Sequence, residues 1–504
     1  MDQSPDGLRE VSSCMHTNRG DTRISEEALH GSLPAGPRSS WSRPALHFVL
    51  PPGTRHLGWM IVLVALFWLL FIAAGHLTSY YAVEELNFFK KASFWQIFSV
   101  MEFGDTYKRF SPLGFGLIGW LDTHIYVPLL GLSDASAEQL AVARRLVWFH
   151  PLFVAGSCLI TACVTWRIFK DQRLVAIAVL LVGLSDTVPF QMRFVSTFVC
   201  YALQISALLA IYYVARLEED RSLRTVIKLA LCVAAALSVW EQGLDLAFAV
   251  SIALMVSILL KRRRFAEISK LPEALALAVV LAMTGIYLAI RLQAGIAEAL
   301  TTNKEASYFL SYGTLLPMAD DLLLNFSALT LQAFRQFLPF PPLSFSVMSG
   351  IDMNGLNAYN ASYAQFPNMF YRMMGMWYSG VTFTLTMAVL LYALFLARAR
   401  QGFERQLIVA SVCVFIFGLV MHLPIMHRDY FYIPGFALGF KISISYMGFV
   451  MLIVLMAREF LTSKVFSALS ARRKSLLWSG FATYFCCAAV SRAVLGQLPN
   501  RFPW

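Results

Sequence analysis

From residue 58 onward the chain alternates long apolar runs with short polar breaks. A helix needs about 20 such residues to cross the hydrocarbon of a bilayer. Runs of that order fall at 58–77, 146–166, 174–190, 196–215, 225–240, 243–260, 273–291, 376–397, 406–423, 434–457 and 475–492. The pattern predicts an all-α, polytopic membrane protein with about eleven transmembrane helices. The runs at 174–190 and 225–240 are short and polar at their ends, which suits helices sheltered by neighbours or by a water-filled cavity. No internal repeat of the kind seen in many secondary transporters stands out.

Two polar interruptions are much longer than ordinary connections. They cover 78–145 and 292–375, and both are expected to carry juxtamembrane helices. Within the second, 321–342 is apolar but holds Asp321, Arg335, Pro339, Pro341 and Pro342, which suits a segment lying along the surface. Residues 1–57 are rich in Ser, Pro, Gly and Arg without periodicity, and are expected to be disordered. The first apolar run lies too far from the start for a cleaved signal and reads as a retained helix. The chain thus divides into 1–57, a first membrane module over 58–265, and a second membrane region over 266–504.

Composition agrees. Charged residues make up 14% of the chain, against about 25% in soluble domains. A formal net charge of +11 raises nucleic acid as a partner, but the basic residues collect at the ends of spans. The clusters are Arg167/Lys170/Arg173, Arg216/Arg221/Arg224, Lys261 to Arg264, Arg398/Arg400/Arg405 and Lys464/Arg472/Arg473/Lys474. This is the positive-inside bias of a membrane protein, and it argues against nucleic acid. It puts the N-terminus in the cytoplasm and both long loops outside. Seven of the eight cysteines fall within spans, where Cys486-Cys487 reads as packing, and no disulfide or zinc spacing is present.

Polar residues concentrate at the outer boundary rather than at mid-membrane, which favours an enzyme acting on a lipid headgroup over a channel or carrier. Glu84-Glu85 follow the first span closely. Either one is a general base beside an acceptor hydroxyl, or the pair caps a juxtamembrane helix. Glu102 and Asp105 are rival bases. Tyr107-Lys108-Arg109-Phe110-Ser111-Pro112-Leu113 follows, in which Arg109 either forks onto a phosphate or snorkels beneath the loop. Trp95, Trp120, Tyr107 and Tyr126 suit an aromatic belt. Ser238 to Gln242 interrupts two apolar runs, and a charge such as Glu241 there must face a cavity or a partner. Near the end, His427-Arg428-Asp429-Tyr430 precedes Lys441. Arg428 and Lys441 suit a phosphate leaving group, unless Arg428 simply pairs with Asp429. The histidines are too scattered to suggest a metal site.

The order of these features resembles the N-terminal module of the GT-C superfamily of polytopic glycosyltransferases, which use polyprenyl-phosphate sugar donors. The shared elements are a first span, the acidic pair Glu84-Glu85, Trp95-x-x-Phe98, the stretch Tyr107 to Leu113, Gly131-Leu132 and a span opening near His150. Glu241 stands where the family's Lys-Glu glutamate falls, and Arg428 to Pro434 resembles its late Arg-Tyr-x-Tyr-x-Pro motif. The likeness covers 58–265, and 420–457 more loosely. Three departures stand out: the acidic pair is Glu-Glu, Phe110 and Ser111 separate Arg109 from Pro112, and Trp240 replaces the lysine.

The resemblance implies an inverting transfer to a lipid or glycan acceptor on the periplasmic face of a bacterial inner membrane. In it Glu84, Glu85 or Asp105 is the base, while Arg109, Arg428 and Lys441 hold the donor phosphate. Glu241, Tyr107 and His427 support the site. Some relatives use a divalent ion, but no coordinating cluster in this sequence requires one. A transporter or flippase of a lipid-linked solute, and an inactive scaffold subunit of an envelope-polysaccharide complex, are the competing readings.

Overall fold

The computed structural model describes residues 54–73, 94–98, 101–103, 107–136, 139, 150–185, 199–261, 271–293, 369–418 and 443–495. The N-terminal head before Thr54 and the stretch 321–342, expected to lie along the surface, fall outside them. Eleven long helices occur among the described residues. The first six are α1 (Thr54–Ala73), α2 (His150–Phe169), α3 (Gln172–Gly183), α4 (Val199–Arg216), α5 (Leu223–Val239) and α6 (Gly243–Leu260). The rest are α7 (Pro272–Gln293), α8 (Met369–Ala399), α9 (Gly402–Phe417), α10 (Ser443–Thr462) and α11 (Ala471–Leu495).

Five helices are long and apolar enough to cross a membrane: α2, α4, α6, α7 and α10. The chain is an integral membrane protein on that basis. The apolar parts of α1, α3 and α8 are shorter. The expected all-helical character has one local exception, a small antiparallel hairpin of β1 (Met101–Phe103) and β2 (Tyr107–Arg109), with Met101 opposite Arg109. Helix boundaries also shift. α1 begins at Thr54, directly after Pro51-Pro52-Gly53, and α3 stops at Gly183, ahead of Ser185, Asp186 and Pro189.

Tight turns set neighbouring helices against each other. Only Lys170 and Asp171 separate α2 from α3, and Lys170 takes a left-handed backbone with φ of 54°. The Asp171 carboxylate accepts the Arg173 backbone N–H at 2.8 Å and so caps α3. It also receives the Arg173 guanidinium at 2.7 and 3.1 Å. That hydrogen-bonded guanidinium holds the Asp171 carboxyl below its ordinary range, against the opposing effect of partial burial. A carboxyl depressed by folding contributes stability above its unfolded value, near pH 4, which is lost as pH falls through the folded value. Asp171→Asn keeps a capping acceptor but removes the charge, and is therefore expected to flatten the acid limb of thermal stability below about pH 4. Melting in detergent across that range checks this; an unchanged acid limb excludes Asp171 as a contributor.

The core is built around α4, which touches α2, α5, α6, α9 and α10 and is buried along almost its whole length. Small residues allow the closest approaches. A side chain at Gly448 of α10 would run into the Phe415 and Ser411 main chain of α9.

Ion pairs gather at one end of the bundle. Arg400 bridges to Glu459 at 2.8 Å, and Arg458 reaches Glu404 at 2.7 Å while its guanidinium lies over the Phe169 ring. Lys261 Nζ stands 2.8 Å from Glu218 and 2.5 Å from Glu273. The turns after α2, α4, α6, α8 and α10 meet in this layer, which carries the basic clusters seen in the sequence.

Candidate functional site

At the opposite end, the α5–α6 connection breaks the helical path. α5 ends at Val239, Trp240 is extended (φ −161°, ψ 159°), and Glu241 and Gln242 form the turn into α6. The last carbonyls of a helix lack intrahelical donors. One of them, Val239 O, receives the Ser111 hydroxyl from the segment after the hairpin. Ser111 Oγ in turn accepts the Phe115 N–H at 3.2 Å. Gly114 is needed there, because a Cβ would drive into the Val239 carbonyl. Phe115 meets Trp240 edge to face at 6.1 Å.

This docked segment runs helically from 112 to 129, with two wider turns at Pro112–Gly116 and Asp122–Tyr126. Gly116 rests on Ile97 of the short helical turn Phe94–Phe98, which holds Trp95 and Phe98. Phe94 meets Trp120 at 5.4 Å, and Trp120 stacks on His124 at 5.1 Å. The Trp95-x-x-Phe98 element and Trp120, singled out in the sequence, therefore form one shelf with Phe94 and His124. Trp95, Phe98 and Leu129 are exposed on its outer side, and Phe115 and Asp122 are buried beneath it.

α7 closes the corner. Tyr287 OH donates to Phe110 O at 3.4 Å, and the two rings lie 6.0 Å apart. One turn farther along the same face, Arg291 Nη1 stands 3.5 Å from Glu241 Oε2. Both members of this pair are mostly buried. Glu241 thus has the partner that a charge at this depth requires.

Tyr107 and Arg109 enter as backbone, in β2. Arg109 precedes Ser111 by two residues, so their Cα atoms lie within about 7 Å. The structure therefore brings the strand bearing Tyr107 and Arg109 to the corner formed by Glu241 and Arg291. Glu84, Glu85, Asp105, His427, Arg428 and Lys441 lie outside the described residues. Arg291, Tyr287 and the docking hydroxyl of Ser111 escaped the sequence reading. The available signal was a lone arginine at the end of an apolar run, spaced i, i+4 from a tyrosine. Among the described residues, no three His, Cys, Asp or Glu side chains gather as a metal-ligand set.

Docking by Ser111 has a measurable consequence. Ser111→Ala strips the donor from a buried carbonyl and is expected to cost about 1–3 kcal/mol. Gly114→Val, which forces a side chain into main chain, is expected to cost more. Limited proteolysis should cut both variants in the 94–129 region sooner than wild type. Equal cutting rates and equal melting would remove this contact as the anchor. Neither a family model nor a curated protein matches the chain.

Proposed function

We propose that this protein is a GT-C-like inverting glycosyltransferase that moves a sugar from a polyprenyl-phosphate donor to a lipid or glycan acceptor. One observation carries the reading: the juxtamembrane shelf is anchored by Ser111 on the broken α5–α6 helix beside Glu241. That is the juxtaposition of first-loop motif and broken-helix glutamate which the order of motifs implies. In this reading the basic layer is cytoplasmic, the remaining long helices also cross the membrane to make about eleven spans, and the shelf lies on the periplasmic face of a bacterial inner membrane.

The chemistry asks little of the protein beyond a base, cations and alignment, because a prenyl phosphate already leaves readily. Glu84 or Glu85, with Asp105 as the rival, takes the proton of the acceptor hydroxyl. The acceptor oxygen then bonds to the anomeric carbon from the face opposite the phosphate, and the carbon–oxygen bond to phosphate breaks with inversion. Arg109, Arg428 and Lys441 carry the negative charge of the departing phosphate. Glu241, held by Arg291, supports the corner, and Tyr107 and His427 are further supporting residues.

The test is mass spectrometry of envelope glycolipids and polysaccharides from a deletion strain and from the strain rescued with wild type. The expected result is loss of one hexose or pentose increment, restored on rescue. An unchanged glycan profile, with a defect in uptake of a lipid-linked solute into vesicles, would replace this reading with transport.

A further inference from the structure

The turn that joins α10 to α11 carries a strong imbalance of charge. α10 is long and apolar enough to cross the membrane and ends at Thr462, so the residues after it stand at the edge of the hydrocarbon. No Asp or Glu occurs between Glu459 and Trp504, whereas Lys464, Arg472, Arg473 and Lys474 crowd this corner. Other cations of the same layer, Lys261, Arg400 and Arg458, each meet a carboxylate. Among the described residues, no carboxylate meets any of the four at the corner. The helix dipole does not offset them either. α6, α7 and α9 place Asp245, Glu273 and Glu404 in their first turns, where the positive helix end favours an acid. α11 has no acid in its first turn and places its three cations there.

The corner has a fixed shape. Ser463 Oγ accepts the Phe466 N–H at 3.1 Å and caps the short helix Lys464–Ser467. Phe466 is buried, with the Phe460 ring 5.5 Å away. Lys474 Nζ lies over the Phe466 ring at 5.3 Å and donates to Ser467 O at 3.2 Å, which ties the start of α11 to the short helix. One turn beyond Lys474, Trp478 packs against the core together with Phe481. Arg472 and Arg473 are thereby turned away from the bundle. They are exposed, and so are Leu476 and Leu477, which follow them at i+4 on the same faces of α11. Lys464 and Val465 are exposed on the short helix. Cations and large apolar side chains therefore stand exposed together on two elements of one corner.

We infer that the α10–α11 corner is a docking surface for anionic phospholipid headgroups. Lys464, Arg472 and Arg473 meet the headgroup phosphates, and Val465, Leu476 and Leu477 enter the adjoining apolar boundary. Two observations select a lipid surface over a soluble acidic partner. The corner begins two residues beyond a membrane-crossing helix. Its cations are also interleaved with exposed apolar side chains, a combination that the headgroup region solvates at both ends and water does not. The inference is independent of the proposed sugar transfer, since it uses no residue of the shelf or of the Glu241 corner.

The test uses the full chain in a non-ionic detergent, titrated with dioleoyl phosphatidylglycerol or dioleoyl phosphatidylcholine, with retained lipid counted by native mass spectrometry. Wild type is expected to hold the anionic lipid about tenfold more tightly than the zwitterionic one. Arg472→Gln/Arg473→Gln should abolish most of that preference, whereas Arg472→Lys/Arg473→Lys, which keeps the charge, should retain it. Arg221→Gln/Arg224→Gln removes two other exposed arginines at the same end of the bundle and should leave the preference intact. Melting temperatures should stay equal, because all four arginines are exposed. Equal retention of both lipids by wild type, or equal losses in the two glutamine variants, would overturn the proposal. So would a loss that the lysine variant shares and that only follows a fall in melting temperature. Soluble poly-glutamate binding with the same dependence on Arg472 and Arg473, in the absence of any lipid preference, would overturn it in favour of an acidic protein partner.

Discussion

Glu84→Gln with Glu85→Gln is expected to lower sugar transfer by about 10²–10⁴-fold, the range a positioned general base contributes. Glutamine keeps the size and hydrogen-bonding shape of glutamate but cannot take the acceptor proton at neutral pH. In the proposed reaction the donor phosphate is held by other groups, so binding of the prenyl phosphate should survive the double change. The glycolipid increment restored by wild type would then be missing in the rescued strain, at equal protein level. Single substitutions identify the base: one should reproduce the full loss and the other only a minor part. Asp105→Asn is the control for the rival carboxylate. Full rescue by the double variant would remove the pair from catalysis. If Asp105→Asn then failed to rescue, the role would move to Asp105.

Lys261→Met is expected to be the most damaging single change to stability among the described ion pairs, at about 3–5 kcal/mol. Lys261 serves two carboxylates on different elements, Glu218 in the turn after α4 and Glu273 in the first turn of α7. The Glu273 side chain is 1% exposed and that of Lys261 10%, so water cannot replace the lost ammonium. Glu273 is the sharper case, because its second carboxylate oxygen is already buried without a hydrogen bond. Removing one partner of a buried pair leaves an uncompensated charge, which costs far more than the intact pair contributes. The triple change Lys261→Met, Glu218→Gln, Glu273→Gln should therefore recover much of the loss. Thermal melting of the purified protein in one detergent compares the three forms. A Lys261→Met protein that melts like wild type, or a triple variant no better than the single, would show that the charges are relieved by other groups.

The exposed bidentate contact of Arg173 with Asp171 should matter less, since water already solvates much of it.

Membrane character was legible from residue type alone, because hydrocarbon excludes unpaired polar groups and each crossing must read as a long apolar run. All eleven long helices coincide with such runs, although five by themselves meet the length and polarity needed to cross. The clustering of arginine and lysine at alternate helix ends was equally readable, and it recurs as the ion-pair layer of Arg400, Glu404, Arg458 and Glu459. Glu241 could be marked as a charge in need of a partner, because its cost depends on local sequence. Its partner could not be named, since Arg291 lies 50 positions away and ion pairing leaves no periodic trace. The same holds for Ser111 on Val239, across 128 positions, and Tyr446 on Leu181, across 265. The early stops of α3 and α9 and the late start of α10 also needed the fold. An apolar run shows where a helix can lie in lipid, but only packing and capping by neighbours decide where within that run it ends. Sequence thus determined the solvent this chain lives in and the positions that carry charge, through local transfer free energies. Tertiary structure alone decided which of those charges and helix ends meet, because contacts between distant segments depend on how the helices stack.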